Sequence, residues 1–355
     1  MGRDASAAFF EIRFNLRGRP RCATLFSMTQ RKSSNANLHK AKDAKQDEFY
    51  TQISDIEQEL RHYTRHFAGK VVYCNCDDPR VSNFYRYFAF RFHQLGLKKL
   101  ITTGYKNQNP DLFSRNDSER SFLLEYQGEL QKGELPIPEK IGTTLLKGDG
   151  DFRSAECVEL LKQADIVVTN PPFSLFREFL TQLVEHDKKF VIIGNKNAIT
   201  YKEIFKLIKE NKMWVGQTPM GADMMFDVPG DLSQEMLAEK KEGSGYKIVD
   251  GVVKGRAQAA WFTNLDIRKR HENIILCKNY NPLEYPKYDN YDAIEVSKVA
   301  DIPMDWEGAM GVPITFLDKY NPEEFELLGW TRGLDEFDMR QKKPQSNLYR
   351  NCFAA

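Results

Sequence analysis

The sequence has no long uninterrupted hydrophobic run. None of its windows reaches the ~18 apolar residues that a membrane-spanning helix requires, although 41% of the 355 residues are hydrophobic. The apolar residues recur instead in short groups, which is typical of a chain that buries a core of its own. We therefore expect a protein with no membrane partner.

Cysteine is scarce and irregularly placed. The six cysteines are Cys22, Cys74, Cys76, Cys157, Cys277 and Cys352. Their spacing matches neither the paired ligands of a zinc site nor the framework of a disulfide-rich domain. We expect no metal, and reduced thiols in a cytoplasmic protein.

Most of the chain also lacks an excess of cations. The net charge is only +1, and residues 1–46 alone hold ten Lys and Arg against three Asp and Glu. The remainder is therefore net negative, which argues against a general binder of polyanions. We interpret residues 1–46 as a basic, disordered N-terminal extension and arm. Residues 1–27 resemble a transit peptide, but Met28 also fits a true start, and we favour an upstream extension without a role in the fold.

The glycine-rich turn that often follows the first strand of a cofactor-binding sheet is absent. The predicted first strand, Val71–Cys76, is followed by Asp77-Asp78-Pro79 and a predicted helix. A strand, an acidic turn and a helix N-terminus form the usual layout of a site for an adenosyl or amino-acid group. A second acidic turn, Gly148–Phe152, follows another predicted strand, although Gly-Asp-Gly-Asp is also an ordinary turn sequence. No acid ends the strand predicted over Leu97–Thr103, so the sequence does not assign a residue to a ribose.

The rest of the chain is organised around the stretch Asp165–Ser174. Its short β-branched run predicts a buried parallel strand, which Asn170-Pro171-Pro172-Phe173 then ends abruptly. Each proline restricts the residue before it, so Asn170 is held extended at the carboxyl end of the strand. In open α/β sheets, ligands bind at this edge.

Asn170 and Pro171 suggest a specific chemistry. The side-chain oxygen of Asn170 and the carbonyl oxygen of Pro171 can accept both hydrogens of an exocyclic amino group, which leaves the nitrogen lone pair available to attack an electrophile. Phe173 offers a face on which a planar base can stack, worth about 1–3 kcal/mol per base. The same residues could merely form a turn, but the apolar strand before them favours the catalytic interpretation. The stretch resembles the (Asn/Asp/Ser)-Pro-Pro-(Tyr/Phe/Trp) motif of S-adenosylmethionine-dependent amino methyltransferases.

Strands and helices alternate from Val71 to Asn195, which predicts an α/β fold with a doubly wound, mostly parallel sheet. Asn195, Lys196 and Asn197 follow the last of these strands, where they could line a pocket for the target base or make turn hydrogen bonds. Further on, Tyr246–Val253 and Ala257–Asn264 alternate as a predicted hairpin, and Asn273–Leu276 as another strand.

A series of longer strings resembles the EcoRI-type adenine-specific DNA methyltransferase family over Asn37 to Leu328. These strings include Asp47–Gln52, Val72–Phe84, Gly148–Ser154, Asn170–Phe173, Ile193–Lys202, Trp261–Leu265 and Gly311–Pro322. The resemblance implies a Rossmann-like methyltransferase core over residues 47–276, with a β-hairpin and irregular DNA-recognition insertions. It leaves residues 277–355 as an irregular C-terminal part with possible recognition elements.

The resemblance also implies roles for individual residues. The catalytic residues would be Asn170, Pro171, Pro172 and Phe173, and a flipped-out adenine of double-stranded DNA would contact Asn195, Lys196 and Asn197. The S-adenosyl-L-methionine site would comprise Phe49, Tyr50, Thr51, Asn75, Cys76, Asp77, Asp78, Asp149, Asp151 and Phe152. In that site, Asp149 or Asp151 would bond the amino group of the cofactor adenine, while Phe152 would pack on its ring.

The expected reaction is methylation of adenine N6 by a monomer, in a restriction-modification system whose nuclease acts separately. An RNA adenine or protein glutamine methyltransferase is an alternative, although such enzymes usually keep a glycine-rich first turn. A catalytically inactive DNA-binding module is another, which the intact Asn-Pro-Pro-Phe motif disfavours.

Overall fold

The computed structural model describes residues 9–14, 51–105, 121–130, 136–222, 224–227, 246–249, 252–288 and 292–330. The chain divides into two compact units. The sheet unit comprises Asn35–Lys196 and Gly216–Leu265, and the accessory unit comprises Met1–Ser34, Asn197–Val215 and Asp266–Ala355. The sequence-based boundaries after residues 46 and 276 differ from these bounds and remain a prediction about domains.

Strands and helices largely alternate between Val71 and Lys209, after which the described elements are strands and short 3₁₀ helices. The strands are β1 (Phe9–Phe14), β2 (Val71–Cys74), β3 (Lys99–Thr103), β4 (Phe122–Tyr126), β5 (Thr144–Leu145), β6 (Ile166–Thr169), β7 (Lys189–Asn195), β8 (Trp214–Val215), β9 (Met224–Asp227), β10 (Tyr246–Val249), β11 (Val252–Ala257), β12 (Ala259–Thr263), β13 (Ala293–Glu295), β14 (Ala309–Pro313) and β15 (Phe325–Trp330). The helices are α1 (Ile53–Leu60), α2 (Thr64–Phe67), α3 (Asn83–Phe90), α4 (Phe92–Leu95), α5 (Pro138–Ile141), α6 (Ala155–Gln163), α7 (Phe176–Glu185) and α8 (Lys202–Lys209). No helix among the described residues is both long and apolar enough to cross a membrane.

Seven strands of the sheet unit lie side by side in the order β5-β4-β3-β2-β6-β7-β12. The four central strands, β3, β2, β6 and β7, are parallel. All four residues of β2 and of β6 are buried, as expected for apolar strands that helices cover on both faces. The predicted α/β fold is confirmed. The chain adds β3 to one side of β2 and β6 to the other, so the topological switch point lies between β2 and β6.

The outer strands of this sheet are antiparallel. β4 pairs with β3, β5 with β4, and β12 with β7. The hairpin predicted between Tyr246–Val253 and Ala257–Asn264 does not form as expected. β10 pairs with β11 and β11 with β9, whereas β12 joins the main sheet. Every residue of β12 is buried, so its apolar side chains gain more from the large sheet than a two-stranded ribbon would give.

Glu59 is a charged residue that is buried in the otherwise apolar core of the sheet unit. Its carboxylate is fully buried on α1 and accepts hydrogen bonds from the Tyr63 hydroxyl and from the backbone N–H groups of Gln217 and Thr218, each at 2.7 Å. A Cβ at Gly216 would lie 2.3 Å from Glu59 Oε1, so only glycine allows this approach. Burial, followed by the charge of Glu59, raises the pKa of Tyr63 well above its usual value, which keeps this hydroxyl a donor.

The accessory unit contains a four-stranded sheet in the order β13-β14-β1-β15. β1 is antiparallel to both β14 and β15, so the segment Phe9–Phe14, which we expected to have no role in the fold, is an inner strand. That expectation rested on the arginine-rich composition of residues 1–27. The same segment contains a short run of aromatic and β-branched residues, which favours a strand. The strand predicted over Asn273–Leu276 is wrong, because these residues form no ladder and the Ile275 side chain is 74% exposed.

Candidate active site

Parallel pairing brings several of the candidate residues to one edge of the sheet. Because β2, β3, β6 and β7 run in the same direction, the residues that follow each of them lie at the same carboxyl edge. Those residues are Asn75–Asp78 after β2, Gly104 after β3, Asn170–Phe173 after β6, and Asn195 and Lys196 at the end of β7.

The Asn-Pro-Pro-Phe corner ends β6 as its sequence predicts. Pro172 is extended, with φ −55° and ψ 126°, and its carbonyl accepts the N–H of Leu175 at 3.0 Å to close a short 3₁₀ turn ahead of α7. Asn170 and Phe173 are half-buried, and Pro171 is buried. The amide and the ring therefore flank a rigid backbone corner at the switch point of the sheet.

An acidic residue from the turn after β2, Asp77, contacts this corner. The Asp77 carboxylate accepts the Thr169 hydroxyl at 2.6 Å and the Ser82 hydroxyl at 2.8 Å. The backbone N–H of Asn170 also donates to it. Burial raises the pKa of Asp77 from 3.8 to about 6, an effect that these hydrogen bonds oppose and the charge of Asp78 reinforces.

Thr51 lies beside the first residue of α3. The Asn83 side-chain amide, at the start of α3, donates to the Thr51 carbonyl at 2.8 Å. Thr51 is only 4% exposed, and its hydroxyl oxygen is buried without a hydrogen-bond partner. The structure thus places this candidate cofactor residue next to the helix that follows the acidic turn, whereas Phe49 and Tyr50 lie outside the described residues.

The Gly148–Phe152 turn packs against the end of β3. Gly150 has φ +81°, and a Cβ there would lie 2.0 Å from the Gly104 carbonyl oxygen, so the turn needs glycine at this position. Gly104 in turn approaches Asp78, because a Cβ at Gly104 would lie 3.0 Å from the Asp78 Cβ. The two acidic turns that the sequence singled out are therefore neighbours.

The acids of these turns differ in their partners. Asp78 forms an ion pair with Arg80 at 2.6 Å, and the Arg80 guanidinium lies 3.8 Å from the centre of the Phe122 ring. Asp151 pairs with Arg153 at 2.6 Å, which lowers the pKa of that carboxyl group. Asp149, which is half-buried, accepts the backbone N–H of Asp151 at 3.0 Å. Among the described residues, no group of three or more acids, histidines or cysteines is placed to hold a metal ion.

Phe152 is part of the core. Its ring is 5% exposed and packs edge-to-face on Phe179 of α7, with ring centres 5.1 Å apart. The Gln182 amide donates to the Phe152 carbonyl at 3.1 Å. These contacts anchor the acidic turn to α7, and the expected stacking of Phe152 on a cofactor ring remains a prediction.

The residues after β7 are held by backbone contacts. The Lys196 ammonium donates to the Ala222 carbonyl at 2.9 Å, and its backbone N–H donates to the Gln258 carbonyl at 2.7 Å. The Asn197 carbonyl accepts the Thr200 hydroxyl at 2.8 Å. The proposed contacts of Asn195, Lys196 and Asn197 with a target base stay a prediction.

Two residues of this site were not found from the sequence. Ser82 and Thr169 hold Asp77, and only Ser82 had a local signal, since it precedes a helix whose N–H groups at Phe84 and Tyr85 it caps at 3.0 and 3.2 Å. Thr169 reads as the last residue of a buried strand, and its partner lies 92 residues away in the sequence. No pattern within either segment could have indicated the contact.

Comparison with known proteins gives one consistent family. The family described as "Adenine-specific methyltransferase EcoRI" matches residues 37–352, which extends beyond Leu328, where the resemblance of the sequence strings ends. The Type II methyltransferase M.EcoRI of Escherichia coli is 50% identical over 87% of this chain and 93% of its own. The Type II methyltransferases M.MpnI of Mycoplasma pneumoniae and M.MgeORF184P of Mycoplasma genitalium are 43% and 42% identical, each over 82% of this chain and over 84% and 85% of their own. No solved structure matches the chain. The chain therefore belongs to the EcoRI family of adenine-specific methyltransferases.

Proposed function

We propose that this chain transfers a methyl group to the N6 amino nitrogen of an adenine that is turned out of duplex DNA. Its membership of a family of adenine-specific methyltransferases indicates the target base. The observation that carries this proposal is the position of Asn170-Pro171-Pro172-Phe173. The corner lies at the switch point of the sheet, beside the acidic turn after β2.

The family implies a methyl donor of the S-adenosylmethionine type, and we propose S-adenosyl-L-methionine itself. The site fits such a group in two respects. The buried Thr51 hydroxyl lacks a partner and can bond a polar ligand, and the acidic turns suit a molecule that carries a sulfonium and an ammonium. When bound, this cofactor supplies an electrophilic methyl group.

The residues inferred from the resemblance form or border the proposed cofactor site. Among them, Asp77, Asp78 and Asp151 already accept from hydroxyls or arginines. Asp149 accepts a backbone N–H, and a carboxylate has about four acceptor positions. Asp149 is therefore our candidate for bonding the amino group of the cofactor adenine.

Asn170 and Pro171 would act on the target nitrogen. Their two carbonyl-type oxygens accept the two N6 hydrogens, which turns the lone pair away from the purine ring and toward the methyl donor. Positive charge develops at N6 as the bond forms, the same two oxygens stabilise it, and N6 then loses one proton to water. Because both oxygens belong to a rigid corner, the chemistry rests on positioning and requires no strong base.

The direct test is tritium transfer from labelled S-adenosylmethionine to duplex DNA, RNA and protein in parallel, followed by nucleoside and amino-acid analysis. We expect label in N6-methyldeoxyadenosine only. Label in RNA or in glutamine would establish one of the alternative substrates. Cofactor binding without transfer to any DNA would favour a catalytically inactive binding module.

Replacing Phe173 with alanine should weaken the use of DNA. The half-buried ring would stack on the extruded adenine, and the loss of about 1–3 kcal/mol of stacking corresponds to a fall of roughly 5- to 150-fold in kcat/KM for DNA. Steady-state kinetics with a fixed duplex measures this change. Phe173→Tyr should keep most activity, and Phe90→Ala, which removes an exposed ring at the end of α3, is the matched control. Equal losses in the Phe173→Ala and Phe90→Ala variants would contradict a stacking role.

We further propose that the enzyme works as a monomer in the cytoplasm, paired with a restriction endonuclease that acts separately. A single chain carries all the candidate cofactor and target residues, which supports the monomer. The relatives are named type II methyltransferases, which supports a restriction-modification context. Sedimentation of the enzyme with and without duplex DNA tests the first point.

A further inference from the structure

We infer that Asp77 is a positioning residue that holds the Asn170-Pro171 corner in its reactive geometry, and that it does not contact the cofactor. This role differs from the cofactor contact that the family resemblance implied for the same residue. The inference rests on the proposed function, because it assigns Asp77 a task in the reaction of Asn170.

The contacts of Asp77 span the switch point of the sheet. Asp77 follows β2. Its two partners across the switch point are Thr169, the last residue of β6, and the backbone N–H of Asn170, the next residue. The Thr169 hydroxyl, which donates to Asp77 at 2.6 Å, also accepts the Cys76 N–H at 3.2 Å. A short closed network therefore joins the two strand ends between which ligands of such sheets bind.

Both oxygens of the Asp77 carboxylate already have hydrogen-bond partners inside the protein. One oxygen accepts the Ser82 hydroxyl and the other accepts the Thr169 hydroxyl, and the residue is only 8% exposed. Ser82 is in turn fixed by capping α3. With both oxygens engaged and almost no exposed surface, Asp77 is built to orient neighbouring groups and is poorly placed to bind a ligand.

The charge of Asp77 matters because only a carboxylate accepts on both oxygens. An asparagine would place an NH₂ donor against either the hydroxyls or the Asn170 N–H. The titratable groups that face Asp77 are Asp78, whose charge raises the pKa of Asp77, and the buried Cys74 thiol, whose own pKa is raised well above its usual value by burial and then by Asp77. Protonation of Asp77 near pH 6 would remove one acceptor and loosen the corner.

The stability of the fold should change in the opposite direction to activity. The pKa of Asp77 is raised above its ordinary value of 3.8, so folding favours the protonated form. The stability contributed by that form is complete below about pH 4 and is lost as the pH rises through about 6. Asp77→Asn stays neutral, so the removed cost of the buried charge offsets the hydrogen bonds that it loses, and at pH 7.5 its melting temperature should stay close to that of the wild type. A residue that merely supported the fold would instead lower stability and rate together.

The test compares Asp77→Asn and Thr169→Val with Asp165→Asn. Asp165 also ties β2 to β6, by accepting the Val71 N–H at 2.8 Å, but at the opposite edge of the sheet. In single-turnover methyl transfer at pH 7.5, we expect the first two variants to be about 10- to 100-fold slower, with the cofactor KM changed by no more than about threefold. Asp165→Asn should keep the wild-type rate. The wild-type rate should fall as the pH drops through about 6, and the Asp77→Asn rate should not.

Hydrogen–deuterium exchange of the peptide that contains Thr169–Phe173 supplies a readout without turnover. Exchange should be faster in Asp77→Asn than in the wild type and unchanged in Asp165→Asn. A wild-type rate in Asp77→Asn, a loss confined to the cofactor KM, or unchanged exchange would overturn the inference. If the wild-type enzyme transferred no methyl group to adenine, the proposed function would fail, while the exchange data would still decide whether Asp77 holds the corner.

Discussion

Replacing Asn170 with alanine is expected to slow methyl transfer by about 10²–10³-fold while leaving the cofactor Kd within about threefold of the wild-type value. The side chain supplies one of two oxygens that accept the N6 hydrogens in the proposed reaction. Deletion of a preorganised polar group that stabilises charge in the transition state typically has an effect of this size. Asn170 follows the buried strand β6, so the strand itself should form normally in the variant.

Single-turnover transfer of a labelled methyl group to a saturating duplex measures the chemical step, and calorimetric titration measures cofactor binding. Asn170→Asp is the matched variant, because a carboxylate keeps an acceptor oxygen at the same position and should retain part of the activity. Wild-type turnover in Asn170→Ala would remove the central claim. A parallel loss of cofactor binding would instead assign Asn170 to the cofactor site.

Replacing Glu59 with alanine should lower the free energy of unfolding by about 3–5 kcal/mol. The substitution leaves the N–H groups of Gln217 and Thr218 and the Tyr63 hydroxyl without their acceptor in the dry interior. Each unsatisfied group costs about 1–3 kcal/mol, and the deleted side chain also leaves a cavity. The effect should therefore exceed that of an ordinary surface substitution several-fold.

Urea denaturation of the full chain, followed by tryptophan fluorescence, measures this difference because Trp261 is buried beside the Gly216 turn. Glu57→Ala is the matched control on the same helix, since Glu57 forms an exposed ion pair with Arg91 and its replacement should cost less than about 1 kcal/mol. Glu59→Gln should fall between the two variants. Similar stabilities for Glu59→Ala and Glu57→Ala would show that the buried network contributes little.

The parallel centre of the fold could be predicted because its strands carry a local signal. β2, β6 and β7 are short apolar runs that end at turn-forming residues. A strand that is covered on both faces has this sequence pattern wherever it lies in the chain. The partners of the outer strands could not be predicted. β12 is a short, fully buried run like the strands of the parallel centre, and its antiparallel pairing with β7 depends on which sheet edge is available after the sheet has formed.

The same distinction holds within the site. Local residue types determined the rigid corner at Asn170, the two acidic turns and the family membership, because proline, glycine and short apolar runs constrain the backbone within a few residues. Only the tertiary structure decided which acids remain available for a ligand. Asp78 and Asp151 pair with arginines two residues away, whereas Asp77 turns to Thr169 across the switch point. Side-chain partners depend on distances that folding creates between remote segments, and the order of residues along the chain does not encode those distances locally.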